Sequence, residues 1–83
     1  MVMQLIAAMS ATEKALDDQI MKLTYFCQQI DKTIQQVDEV LGGSIKGYDQ
    51  QMNSKLSGTK NQLETTIAQL KAAKLSVQTV RTI

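Results

Sequence analysis

The chain has 83 residues, 43% apolar and 20% charged, with a formal net charge of +1 and no proline, tryptophan or histidine. That is one small domain, and the composition excludes histidine-based catalysis, haem attachment, a multi-cysteine zinc site and an internal disulfide at the lone Cys27. A charge so near zero gives no general attraction to nucleic acid, and no stretch approaches the 18 apolar residues of a membrane span.

Three aromatic residues, Tyr25, Phe26 and Tyr48, make a conventional core hard to build, whereas 11 glutamines and the absence of proline favour long helices. The start, Met1 to Met9, is apolar but lacks a basic leader, which makes it a poor secretory signal. Residues 1–41 contain no glycine. Their apolar positions alternate steps of four and three: Val2, Ile6, Met9, Leu16, Ile20, Leu23, Cys27, Ile30, Ile34, Val37 and Leu41, with Glu13 as the one polar member. A 3.5-residue repeat keeps one stripe turned toward a partner helix and predicts helix 1 over about 4–41. Glu13 has two readings. It is a polar residue within the seam, or Ser10-Ala11-Thr12-Glu13 is a capping box and residues 1–9 form a separate arm.

The segment Leu41-Gly42-Gly43-Ser44-Ile45-Lys46-Gly47 then breaks the pattern, because glycine accepts the positive φ that reverses a chain. The turn is expected at 42–45, within a glycine-rich stretch near 42–47, and helix 2 over about 46–81. Its stripe reads Ile45, Tyr48, Met52, Leu56, Thr59, Leu63, Ile67, Leu70, Ala73, Val77 and Val80, less regular than the first and partly eleven-spaced. Helix 2 is read as continuous through Gly58, with a bend at 57–59 as the alternative.

The expected fold class is all-α: residues 1–83 as a single antiparallel two-helix hairpin that associates into a helical bundle. Charge suits that pairing. Residues 1–41 carry three lysines against six acids, and residues 42–83 carry six basic residues against two acids, giving −3 and +4. Exposed pairs orient helices more than they hold them. A single core in a chain of this size seldom supplies more than about 3–5 kcal/mol. Further apolar residues lie beside the seam, among them Leu5, Met21, Tyr25, Phe26 and Val40 on helix 1 and Leu75 on helix 2; with Tyr48 of the stripe, these are the candidate partner-binding residues. Leu5, Phe26 and Val40 belong to the seven-spaced row Leu5, Thr12, Gln19, Phe26, Thr33, Val40. A half-apolar row of this kind suits a surface buried only on association.

The turn Leu41-Gly42-Gly43 between two long helices, with Tyr48 and Leu56 after it, resembles the WXG-type family, the small helical hairpins of bacterial type VII secretion. Leu41 stands at the family's tryptophan position, Gly43 at its motif glycine and Tyr48 at its downstream aromatic. The Leu-x-Gly form is most similar to the small helical partners that accompany LXG toxins. The resemblance implies a binding partner or targeting factor that pairs with a toxin's helical domain or another hairpin. It implies a hetero-complex first and a homodimer second, and a bacterial cytoplasmic location before export without a cleavable signal peptide. The family's Tyr-x-x-x-Asp/Glu export signal is absent, since Tyr25 is followed by Gln29 and Tyr48 by Met52. The signal would then lie on a partner or in residues other than these 83. From a different class, the 4-3 repeat alone also suits a homo-oligomeric coiled-coil or four-helix-bundle scaffold.

No constellation points to catalysis, and no metal or cofactor is expected. Asp17-Asp18 and Asp38-Glu39 are adjacent pairs that diverge by about 100° on a helix, which suits solvated carboxylates. Cys27 sits in the seam, where a small buried apolar side chain is its expected role. Lys71, Lys74 and Arg81 complement a helix C-terminus and lack the aromatics of a nucleic-acid patch.

Overall fold

The computed structural model describes residues 2–42 and 47–82. They form two helices, α1 (Val2–Leu41, 40 residues) and α2 (Tyr48–Arg81, 34 residues). The helices lie antiparallel as an all-α hairpin measuring 65 × 14 × 13 Å. At 1.5 Å per residue α1 is about 60 Å long and sets that length.

α1 follows the expected repeat closely. From Met9 to Leu41, every member of the 4-3 series is buried or half-buried, and Gln29 is the only other α1 residue so shielded. Glu13 is among the buried members, so the first reading of that residue holds. The capping box does not form: helix runs unbroken through Ser10, and Thr12 Oγ1 donates to the Ala8 carbonyl at 3.0 Å. The separate arm is likewise replaced by continuous helix. Val2 and Ile6 remain exposed because α2 ends at Arg81, which reaches across to Ser10.

α2 departs from the expected stripe. Tyr48, Met52, Thr59, Ala73 and Val80 are exposed, and the shielded series is Asp49, Asn53, Leu56, Lys60, Leu63, Ile67, Leu70, Lys74, Val77 and Arg81, with Gln78 the one shielded α2 residue outside it. These too alternate steps of four and three, so both helices share one heptad register. Searching for apolar residues alone selects the neighbour one place earlier wherever the true seam residue is polar. α2 also continues through Gly58 without a bend.

The resulting core is thin. Cys27, Ile30, Val37 and Ile67 are its buried apolar members, and no large side chain among the described residues is fully enclosed. Burying one such aliphatic side chain completely contributes about 1.5–3 kcal/mol, so the hairpin's own seam is a modest source of stability.

At the turn, the Gly42 amide donates to the Asp38 carbonyl at 2.9 Å, extending the last turn of α1. A Cβ at Gly42 would overlap that same carbonyl oxygen. Gly47 precedes α2 with φ 67° and ψ 24°, the left-handed region that glycine occupies without steric cost. Its carbonyl accepts from the Gln51 amide at 3.1 Å. Gly43 of the proposed turn motif, and Ile45 of the expected stripe, lie outside the described residues.

Candidate helix-pairing surface

The two flanks of the hairpin differ in chemistry. On one flank, the α1 row Ser10, Asp17, Thr24, Asp31, Asp38 faces the α2 row Asn53, Lys60, Ile67, Lys74, Arg81. Asn53 Nδ2 donates to Asp38 Oδ1 at 2.6 Å, Lys60 Nζ to Asp31 Oδ1 at 2.7 Å, and Arg81 Nη1 to Ser10 Oγ at 3.3 Å. Lys74 Nζ lies 2.5 Å from Asp17 Oδ1. Each step of seven up α2 is met by a step of seven down α1. The carboxylates read as solvated in the sequence are exposed, and three of the four also have partners: Asp17 and Asp38 across the hairpin, and Asp18 with Lys22 at 3.1 Å along α1.

Glu13 closes this ladder at the open end. Arg81 Nη1 approaches Glu13 Oε1 to 3.0 Å, but the oxygen accepts no aligned hydrogen bond, while the same Nη1 donates to Ser10 Oγ. The contact is therefore electrostatic, around a carboxylate only 11% exposed. The hydrogen bond from Lys60 to Asp31 holds the Lys60 ammonium above its ordinary pKa of 10.5, with smaller support from the charges of Asp31 and Glu64 against partial desolvation.

The opposite flank carries no charge in its two rows. They are Leu5, Thr12, Gln19, Phe26, Thr33, Val40 on α1 and Met52, Thr59, Thr66, Ala73, Val80 on α2. Every one of these residues is exposed. The four threonines make the flank less polar than their names suggest. Thr12, Thr33, Thr59 and Thr66 each donate their hydroxyl to the carbonyl four residues back, at 2.9–3.1 Å. Their donors are satisfied within their own helix, so a second surface could cover them without supplying an acceptor. Shallow apolar grooves open along this flank. One lies between Thr12 and Val80 over Met9 and Val77, and others lie near the turn beside Val40, Leu41, Tyr48 and Met52.

The structure brings Leu5, Phe26 and Val40 onto this one face and sets Tyr48 at its turn end. Met21, Tyr25 and Leu75 are exposed but stand elsewhere. Met21 lies beside Ala11, Lys14, Asp17 and Asp18, Tyr25 points away from the seam, and Leu75 lies behind the charged flank. Sequence reasoning missed Met52 and Val80 as surface residues, having placed them in the seam. Carrying the seven-residue spacing outward from Leu63, Ile67 and Leu70 would have found both them and the polar ladder.

Among the described residues, no group of three histidine, cysteine or carboxylate side chains could hold a metal ion, and no helix is long and apolar enough to cross a membrane. Cys27 is buried and unpaired in the seam. No protein-family model, curated protein or solved structure matches the chain.

Proposed function

We propose that the protein is a helical binding module whose uncharged flank completes a bundle with another helical chain. The observation that carries this reading is the contrast between flanks: the charged side is largely paired within the hairpin, Glu13 Oε1 and Asn53 Oδ1 being its buried atoms without a hydrogen bond, while the side bearing Leu5, Phe26, Val40, Met52 and Val80 is apolar, self-satisfied in its threonines and uncovered. Total exposed area supports it. The chain exposes 6378 Å², whereas a compact monomer of 9.2 kDa would expose about 4,900 Å², an excess of about 1,500 Å².

In its specific form, the proposal takes the partner to be the helical domain of an LXG-type toxin or a second WXG-like hairpin, with the pair presented for type VII export. The hairpin layout and the Leu41-Gly42-Gly43 turn support that form. The test is co-expression with the helical protein encoded beside it, followed by affinity purification of the wild type and of Phe26→Lys. A stoichiometric complex lost in Phe26→Lys supports the reading. A neighbour that fails to co-purify, or binds both forms equally, rejects it.

A further inference from the structure

Resting on the reading of this flank as a docking surface, we infer that α2 rolls about its own axis by about 50°, the angle between adjacent rows of a heptad, and that this roll displays or covers the α2 half of the flank.

α2 carries two seams that share one spine. Leu56, Leu63, Leu70 and Val77 recur every seven residues and are half-buried. On one side of this spine lies the row Asn53, Lys60, Ile67, Lys74, Arg81, which completes the seam as it stands. On the other lies Met52, Thr59, Thr66, Ala73, Val80, displaced from the spine by the same angle in the opposite sense. Rolling α2 exchanges the two rows and leaves the spine against α1. Met52, Ala73 and Val80 then enter the seam, and Tyr48, Lys55, Gln62, Gln69 and Ser76 take their place on the flank. The surface offered to a partner gains a charge and loses most of its α2 apolar residues. Lys60 and Lys74 move to the edge of the seam, where long stems still reach Asp31 and Asp17.

The displaying orientation leaves defects that the roll relieves. Asn53 Oδ1 is buried without a hydrogen bond, a cost that is removed when the side chain turns outward to water. Shallow grooves lie beside both apolar ends of the exchanged row, one over Met9 and Val77 next to Val80, the other next to Leu41 and Met52. Val80 and Met52 fill them on rolling inward. Three contacts oppose the roll. Ile67 is buried at 9% exposure and Thr66 would replace it, Arg81 Nη1 stands 3.0 Å from Glu13 Oε1, and Asn53 donates to Asp38 at 2.6 Å. These hold α2 in the displaying orientation, and a partner seated on the flank selects that orientation further.

Thiol labelling reads the roll. In a Cys27→Ala background, Ala73→Cys reports the exchanged row, and Ala72→Cys, on the side of α2 away from the seam in both orientations, is the control; both positions are exposed. Without further change the two should react with a maleimide at similar rates. Glu13→Leu releases Arg81 and gives Val80 an apolar neighbour. It should slow Ala73→Cys relative to Ala72→Cys by about threefold or more, independently of protein concentration, and weaken capture of the neighbouring helical protein by a similar factor. The exchange Thr66→Ile with Ile67→Thr, which preserves composition, should do the same. Asn53→Leu with Lys74→Leu makes the present seam row apolar and should restore full Ala73→Cys reactivity beside Glu13→Leu. An unchanged labelling ratio in both Glu13→Leu and the exchanged chain, or protection that grows with protein concentration, would overturn the inference. Protection that shifts while capture does not would keep the roll and remove the docking reading instead.

Discussion

Lys60 Nζ donates to Asp31 Oδ1 at 2.7 Å, joining residues 29 apart in sequence from a seam position of α2 to the flank of α1. It is one rung of a ladder that includes Asn53–Asp38, Lys74–Asp17 and Arg81–Ser10. In the middle of this series, the buried Ile67 stands at the level of Thr24. A slip by one heptad would place Ile67 at the level of Asp17 or Asp31 and misalign the cations. The ladder thus fixes how far one helix slides along the other, a role for polar seam residues that apolar packing alone does not perform.

The Lys60 pKa gives this rung a pH signature. Because the folded state raises it above 10.5, the bond's stabilisation is fully present below that value and is lost as pH rises through the raised folded pKa. In thermal melts followed by circular dichroism above pH 10.5, Lys60→Arg should retain more of its neutral-pH melting temperature than wild type. Parallel decline of the two curves would remove this rung from the account.

The Arg81–Glu13 contact should behave as a coupled pair. Arg81→Met leaves a carboxylate that is 11% exposed without its cation, and a buried charge stripped of its partner costs about 3–5 kcal/mol at the upper end. Glu13→Leu restores an apolar seam residue and should stabilise the hairpin. In that background Arg81→Met should cost much less. Denaturant unfolding of the four variants reads the coupling, and additive effects would contradict it.

Ile30→Asp should unfold the hairpin or leave it unassociated. Ile30 is 6% exposed, and the thin seam offers an introduced carboxylate no partner at that level other than Lys60, which Asp31 already holds. Loss of the helical circular dichroism signal at room temperature is the expected result, since burial of an unpaired charge exceeds what a core of about 3–5 kcal/mol can tolerate.

Gly47 should resist substitution according to φ. At φ 67°, Gly47→Val pays for a left-handed β-branched residue, about 1–2 kcal/mol, while Gly47→Asn should cost less because asparagine visits that region. Urea midpoints that rank Val below Asn below Gly support the turn geometry. Equal midpoints for all three would contradict it.

Much of α1 was legible in the sequence because its seam is written in Leu, Ile, Val, Met and Cys, so periodicity and burial coincide from Met9 to Leu41. The seam of α2 was not, because Asn53, Lys60, Lys74 and Arg81 hold seam positions with polar ends turned to α1 carboxylates or hydroxyls, the lysines and the arginine through long stems. An apolar filter read past them to Met52, Thr59, Ala73 and Val80. The same cause hid half of the candidate surface: those displaced residues form the α2 row of the uncharged flank. Leu5, Phe26 and Val40 were legible because their seven-residue spacing stands beside an unambiguous seam. Met21, Tyr25 and Leu75 were grouped with them on hydropathy alone, which carries no direction around a helix.

Sedimentation equilibrium of wild type beside Phe26→Lys, with far-ultraviolet circular dichroism on the same samples, tests the central claim most directly. An uncovered association flank predicts a wild type that sediments above its 9.2 kDa mass, with a second copy or with the neighbouring helical protein when that is added, and a Phe26→Lys chain that stays monomeric in both cases with its helix content retained. A wild type and variant that are both monomeric, alone and with that protein, and equally helical would show that the flank is an ordinary solvated surface.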